Sequence, residues 1–272
     1  MTELRALPLG VFDSGLGGLT VVRALREALP EESILYLGDT ARVPYGTRSA
    51  ETVVRYALSC AKVLVARGVK AIVVACGTVS AVAIEALRVE LDLPVLGVIE
   101  PSARAAVERC GGRRIGVLGT PGTVASGAYP RTIVTLSTRA EVVQQAAPLF
   151  VPLAEEGWLD GEVPTLAARR YLAPLIASGA RVVVLGCTHY PLLAPVIQAE
   201  ADRLAGEPVA VIDTGAAVAR EVGRFLEERG RRAPPGPRGA LEVRVTDLPK
   251  SFAEVASRFL GEPVHDVRQI DL

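Results

Sequence analysis

A β-branched run that ends in cysteine occurs twice in this chain, and no other feature limits its fold as tightly. Ala71-Ile72-Val73-Val74-Ala75-Cys76-Gly77-Thr78 aligns without a gap on Arg181-Val182-Val183-Val184-Leu185-Gly186-Cys187-Thr188-His189 at an offset of 111 residues. Ala66 then falls on Ala177, Gly68 on Gly179 and Cys76 on Cys187. Each copy reads as a helix closed by glycine, a strand apolar on both faces, and a cysteine where the strand ends. Strands of that kind belong to parallel sheets covered by helices, which bind ligands outside the carboxyl ends of their strands. The repeat therefore predicts an α/β chain of two similar parallel-sheet domains, with two equivalent thiols presented to one cleft.

At 272 residues the chain has room for one or two such domains. Half of it is hydrophobic but only 4% is aromatic, so the core has to be built from Val, Leu, Ala and Ile. That favours parallel α/β layers over an aromatic-rich sandwich. The 30 basic and 30 acidic residues cancel, leaving no global field to recruit nucleic acid or a membrane surface. No apolar run approaches the roughly 20 residues of a membrane span. Met1-Thr2-Glu3-Leu4-Arg5 is no secretion signal, so a cytoplasmic protein is expected. Four cysteines are too sparse for a disulfide scaffold and are expected as free thiols.

In chain order, a first strand from Leu7 to Phe12 runs into Asp13-Ser14-Gly15-Leu16-Gly17-Gly18, followed by a helix from Leu19 to Leu29. The backbone N–H groups of that glycine-rich turn suit an anion in the cleft. A dinucleotide fingerprint is the rival reading, helped by Asp39 after the second strand. Thr20 stands where its third glycine belongs, however, and Asp13 would repel a pyrophosphate. Gly38 to Ser49 is a polar loop fixed by Pro44 and Gly46. It carries Arg42, Tyr45 and Arg48, and reads either as a lid or as ordinary surface, ahead of a helix capped by Ser49. One helix is expected from Cys76 to Leu91.

The pattern restarts at Arg114-Ile115-Gly116-Val117-Leu118-Gly119-Thr120, where Gly116 repeats Gly10 at an offset of 106. Val142 to Val151 suggests a strand, and Pro152 to Trp158 a loop bearing Glu155 and Glu156. The proline- and arginine-rich stretch from Gly230 to Gly239 reads as a flexible linker. Leu241 to Val245 and Lys250 to Leu260 are a last strand and helix that rejoin the first half. The expected division is residues 1–98 plus 210–272 as one domain and 99–209 as the other.

Four kinds of chemistry compete for the thiols. Both cysteines could be buried structural residues, although that leaves the duplication and the polar threonine after each unexplained. Cys76, Cys187 and His189 could hold zinc, but no CxxC pair supports it. A thiol hydrolase could pair Cys187 with His189 and leave Cys76 idle. Inversion at a carbon next to a carboxylate uses both sulfurs: one thiolate takes a proton from one face and the opposing thiol delivers one to the other. An ordinary thiol of pKa ~8.5 is only about 3% thiolate at pH 7, so a shift of ~1.5 units or more is needed.

Asp13-Ser14-Gly15-Leu16-Gly17-Gly18, Pro44-Tyr45-Gly46, Ala75-Cys76, Gly97-Val98-Ile99-Glu100-Pro101, Val151-Pro152-Leu153 and Gly186-Cys187-Thr188-His189-Tyr190-Pro191 together resemble the bacterial glutamate racemases of the aspartate/glutamate racemase family. The match runs in order across most of the chain. The resemblance implies the two-domain fold of that family, with the active site between the domains, and cofactor-independent racemisation of glutamate. It also implies D-glutamate supply for peptidoglycan and a homodimer. Carried over residue by residue, Cys76 would take the proton from D-glutamate and Cys187 from L-glutamate. Asp13 would assist Cys76 and His189 would assist Cys187. Ser14, Tyr45, Gly46, Thr78 and Thr188 would hold the substrate. Asp39 and one of the two glutamates, Glu155 by spacing or else Glu156, resemble further polar residues of the cleft.

One departure stands out: the family has asparagine after the first cysteine, where this chain has Gly77 and no asparagine anywhere. The backbone N–H of Gly77 could replace the missing amide, a neighbour could compensate, or turnover could be weak. Aspartate racemisation, and a weakly active relative that serves as a binding or regulatory protein, are the alternatives left open.

Overall fold

Short β-branched runs punctuated by glycine form ten strands in the computed structural model, which describes residues 2–272. In chain order they are β1 (Leu9–Asp13), β2 (Ile34–Gly38), β3 (Ala71–Val74), β4 (Val95–Gly97), β5 (Arg114–Gly119), β6 (Val142–Ala146), β7 (Ala180–Leu185), β8 (Ala210–Ile212), β9 (Leu241–Val245) and β10 (Val267–Gln269). One sheet has the order β10-β9-β2-β1-β3-β4 and the other β6-β5-β7-β8. Every pairing is parallel. β1, β2 and β3 are buried along their whole length, as strands with helices on both faces must be.

The two sheets carry the same internal order, since β6-β5-β7-β8 repeats β2-β1-β3-β4 strand for strand. The sequence repeat is thus a repeat of topology, and β3 and β7, which lead to the cysteines, are equivalent strands. Gly68 (φ +73°) and Gly179 (φ +93°) occupy the left-handed region just before them. A side chain would be strained there, so the shared glycine closes the helices Ala50–Ala66 and Glu162–Ala177. Strand order reverses between β1 and β3, and again between β5 and β7. At such a switch point the flanking loops diverge and leave a crevice.

Several expectations change. β8 pairs with β7, so residues 210–212 lie in the second sheet, not with the first half where a boundary at 210 puts them. Asp213 then caps the helix Thr214–Glu228 through the Ala216 N–H at 3.0 Å, and this helix carries the chain back to the first sheet. The strand expected from Val142 stops at Ala146 ahead of Pro148. Phe150–Glu156 is a helix, not a loop, because Pro152 falls in its first turn and Gly157 (φ +78°) closes it. The single helix expected after Cys76 is two, Gly77–Val82 and Ile84–Glu90, with a break at Ala83 that its sequence does not signal. The 230–239 stretch is anchored. Lys70, fully buried, pairs with buried Glu32 and donates to the Arg5 and Arg231 carbonyls at 3.0 Å, while Glu32 accepts from the Ala233 N–H at 2.7 Å.

No helix among the described residues is long and apolar enough to cross a membrane. All four cysteines are free thiols and all are buried.

Candidate active site

The turn after β1 brings Ser14, Gly15 and Leu16 to the crevice, and the ends of β3 and β7 bring Cys76, Gly77, Gly186 and Cys187. Together with the loop from Val43 to Thr47, they line one cavity of about 260 Å³ between the two sheets. That is just below the roughly 300–1,000 Å³ of drug-sized pockets and suits a small metabolite. Of the residues singled out in the sequence, Ser14, Tyr45, Gly46, Cys76, Gly77, Thr78, Glu155, Cys187, Thr188 and His189 all contribute to its wall. Asp13 stands behind the wall, 1% exposed. Glu155, and not Glu156, faces the cavity.

Each thiol has its own attendants. Cys76 precedes the helix Gly77–Val82, and its sulfur lies 3.4 Å from the Ser14 hydroxyl. Burial pushes the Cys76 thiol up to about 12, and the charge of Asp13 adds to that; hydrogen bonds from Ser14 and the Val79 N–H pull the other way. Asp13 is itself raised by burial, against the charge of His189 and the backbone N–H groups of Gly15, Gly18 and Ser14. One of its carboxyl oxygens, Oδ1, is buried without a hydrogen-bond partner. A buried carboxyl that is raised and half-satisfied is poised to take a proton.

Cys187 is attended differently. A 3₁₀ turn, Tyr190–Leu193, leads into the helix Ala194–Ala205, so helical structure begins three residues beyond this sulfur rather than at the next residue as it does after Cys76. His189 Nδ1 lies 3.8 Å from the Cys187 sulfur, and His189 Nε2 lies 3.0 Å from Glu155 Oε1. Burial opposes a charge on the imidazole, but the hydrogen bonds and charges of Cys187 and Glu155 outweigh it and lift His189 to about 10. A protonated His189 puts positive charge beside the sulfur that must become negative to act as a base.

Two sequence-derived residues have other duties. The Tyr45 hydroxyl donates to Asp39, so Tyr45 offers the cavity its ring and backbone. Asp39 does not line the cavity. It gathers Tyr45, the Arg42 guanidinium (2.6 Å) and the Thr246 hydroxyl (2.8 Å), fixing the loop whose other face does. Arg42 stacks on Tyr56, 4.2 Å from the ring centre, and neither it nor Arg48 reaches the cavity.

Thr120 is the residue that sequence reasoning missed. It lines the cavity, and its hydroxyl lies 3.1 Å from that of Thr78, bridging the two sheets. The signal was present, since the offset of 106 that pairs Gly10 with Gly116 also pairs Ser14 with Thr120. Among the described residues no three His, Cys, Asp or Glu side chains converge as metal ligands would, so Cys76, Cys187 and His189 do not form a zinc ligand set.

Paired parallel sheets of repeated topology thus each deliver a thiol to a shared cleft. A sequence model of the family described as Asp/Glu/Hydantoin racemase matches residues 18–222. The chain is 50% identical over 266 residues to the glutamate racemase of Geobacter metallireducens, covering 97% of this chain and 96% of that one. It superposes on the crystal structure of glutamate racemase from Thermus thermophilus in complex with β-chloro-D-alanine at a TM-score of 0.86, with 45% identity and 98% of each chain covered. Against the Francisella tularensis glutamate racemase in complex with D-glutamate, the TM-score is 0.89 at 34% identity, again over 98% of each chain. The chain belongs to the Asp/Glu/hydantoin racemase family and, within it, to the glutamate racemases.

Proposed function

We propose that this enzyme interconverts L- and D-glutamate by proton transfer between Cys76 and Cys187, without a cofactor. One observation carries the reading: equivalent strands of the two sheets deliver one thiol each to a single small cavity, and each thiol has a separate proton partner. When L-glutamate is bound, the Cys187 thiolate takes the Cα proton, forming S–H as C–H breaks. The electron pair stays on Cα and spreads into the adjacent carboxylate. The Cys76 S–H then breaks and its proton goes to the opposite face, giving D-glutamate and a Cys76 thiolate. The reverse reaction restores the starting state, as does proton exchange with solvent through Asp13 and His189.

The resting site is set for one of these directions. Cys76, raised to about 12, rests as the acid. His189, raised to about 10, supplies the positive charge beside Cys187. Asp13 is the group that accepts the Cys76 proton when D-glutamate is the substrate. Positioned acid–base transfer of this kind contributes about 10²–10⁴-fold for each group. The rest of the acceleration comes from stabilising charge on the carboxylate. Ser14, Thr78, Thr120, Thr188 and the backbone of Gly46 and Gly77 are the polar groups available for that.

The Cys187–His189–Glu155 chain would also suit a thiol hydrolase, but a hydrolase has no use for Cys76, and the glutamate racemase relatives match almost the whole chain. Supply of D-glutamate to cell-wall precursors, a cytoplasmic location and a homodimer complete the reading. We also assign the two domains to the two sheets, with the crossings near residues 98 and 213. Alanine at Cys76 or at Cys187 is expected to abolish racemisation in both directions while glutamate still binds. Near-parental turnover by either variant defeats the proposal.

A further inference from the structure

Parts of the first half reach across to the Cys187 side without lining the cavity. Phe259, fully buried in the helix Phe252–Leu260, sets its ring edge-on to His189, with centroids 5.0 Å apart and planes at 79°. Its neighbour Arg258 donates from Nη1 to the Glu155 carbonyl. A Cβ on Gly157 would fall 2.8 Å from that guanidinium, so the end of the helix Phe150–Glu156 is shaped around Arg258. The Thr20 hydroxyl donates to the Thr188 carbonyl at 2.9 Å. Gly17 comes so near that a Cβ there would lie 2.3 Å from the Thr188 hydroxyl and 2.5 Å from His189 Nδ1. The Ser14 hydroxyl beside the Cys76 sulfur, and Asp13 behind it, come from that cysteine's own sheet.

The imidazole has to meet two partners at once, sulfur at Nδ1 and carboxylate at Nε2, and a modest rotation loses one of them. The Glu155 side chain is 46% exposed, and an exposed carboxylate contributes little unless something holds it in place. We propose that the last helix is the positioning element for this pair: Phe259 fixes the plane of the His189 ring, and Arg258 fixes the backbone from which Glu155 reaches it. The Cys187 side of the relay is therefore built by both halves, and is complete only while the last helix is docked on the second. The last strand and helix then have a duty in the chemistry beyond completing the first sheet. This inference rests on the two-thiol reading above.

The test is Arg258→Ala, with Arg258→Lys as the conservative rescue and Phe259→Leu as an independent probe of ring packing. Each variant is first checked by circular dichroism for a native melt. The kcat of Arg258→Ala and Phe259→Leu should fall by up to about 100-fold, the cost of displacing a reacting group by about 1 Å, with a much smaller change in KM. Because Cys187 takes the proton of L-glutamate, slowing its step exposes C–H cleavage in that direction alone. The primary isotope effect from 2-deuterated L-glutamate should rise, while that from the D-enantiomer falls toward unity. Arg258→Lys should recover most of the rate. An unchanged kcat, or isotope effects that move equally in both directions, overturns the proposal, since diffuse damage to the fold has no preferred enantiomer. Failure of the underlying reading shows separately, as racemisation by Cys187→Ala.

Discussion

Putting asparagine at position 77, the residue that the family resemblance implies there, should weaken this enzyme. A Cβ at Gly77 would sit 2.5 Å from the Gly186 carbonyl oxygen, whereas ordinary contact begins near 3.4 Å. The difference, 3.4 − 2.5, is about 0.9 Å of forced separation between the strand ends that carry the two cysteines. The obstacle is backbone: the Gly186 N–H is bonded to the Leu118 carbonyl at 2.8 Å, so the push passes to its chain neighbour Cys187. Overpacking of this kind costs about 1–3 kcal/mol, and moving a reacting group by nearly 1 Å costs up to about 100-fold in rate. A recovered hydrogen bond to the substrate would return about 0.5–1.5 kcal/mol, or roughly 2- to 12-fold. The steric cost wins. In a chiral chromatographic assay run in both directions, Gly77→Ala and Gly77→Asn should both lose about 10-fold or more in kcat, with asparagine no better than alanine. If Gly77→Asn exceeds the parent in kcat/KM while Gly77→Ala falls below it, the missing amide matters more than the closeness of the strand ends, and the reasoning is refuted.

Other expectations follow from the buried charges. Lys70→Ala leaves the Glu32 carboxylate buried without its cation and should cost about 3–5 kcal/mol in urea unfolding; a loss under 1 kcal/mol would mean the pair is dispensable. His189 is raised above its ordinary 6.5, so its contribution to stability is complete below pH 6.5 and is lost as pH climbs through about 10. Glu155→Gln removes one cause of that rise and should shrink the difference in melting temperature across this window; an unchanged difference would detach Glu155 from His189. Glu200, held at about 2 by hydrogen bonds from Arg203 and Arg169, acts in the opposite sense: its contribution is present above pH 4.5 and lost as pH falls through about 2. Glu200→Gln should lower the neutral-pH melting temperature and flatten that part of the acid limb.

The fold was legible where side chains state their own burial. The runs at 71–74 and 181–185, with Gly68 and Gly179 ahead of them, can only be buried parallel strands. Their repetition carries the topology of two sheets of the same order. Membership of β8 was hidden because Ala210–Ile212 is apolar enough for either sheet, and only pairing with β7 decides it. The helix Phe150–Glu156 was hidden because the apolar run up to Val151 reads as strand and Pro152 as the start of a loop until Gly157 is known to be left-handed. At the site, local motifs picked out both cysteines, Ser14, Thr78, Thr188 and His189, which line one cavity. What they could not convey is contact between distant segments. That Asp39 occupies the Tyr45 hydroxyl, that Phe259 packs on His189, and that Gly77 abuts Gly186 are facts of tertiary approach, with no spacing rule to announce them.

The central claim is that protons come and go on opposite faces through two different sulfurs. Early-time racemisation in deuterated water, followed from each enantiomer by mass spectrometry of the separated products, tests it most directly. Two thiols predict that the inverted amino acid carries solvent deuterium at Cα from the first turnovers, while the unreacted enantiomer keeps its protium. Inverted product that retains the original Cα hydrogen would mean one group serving both faces, and would contradict the account.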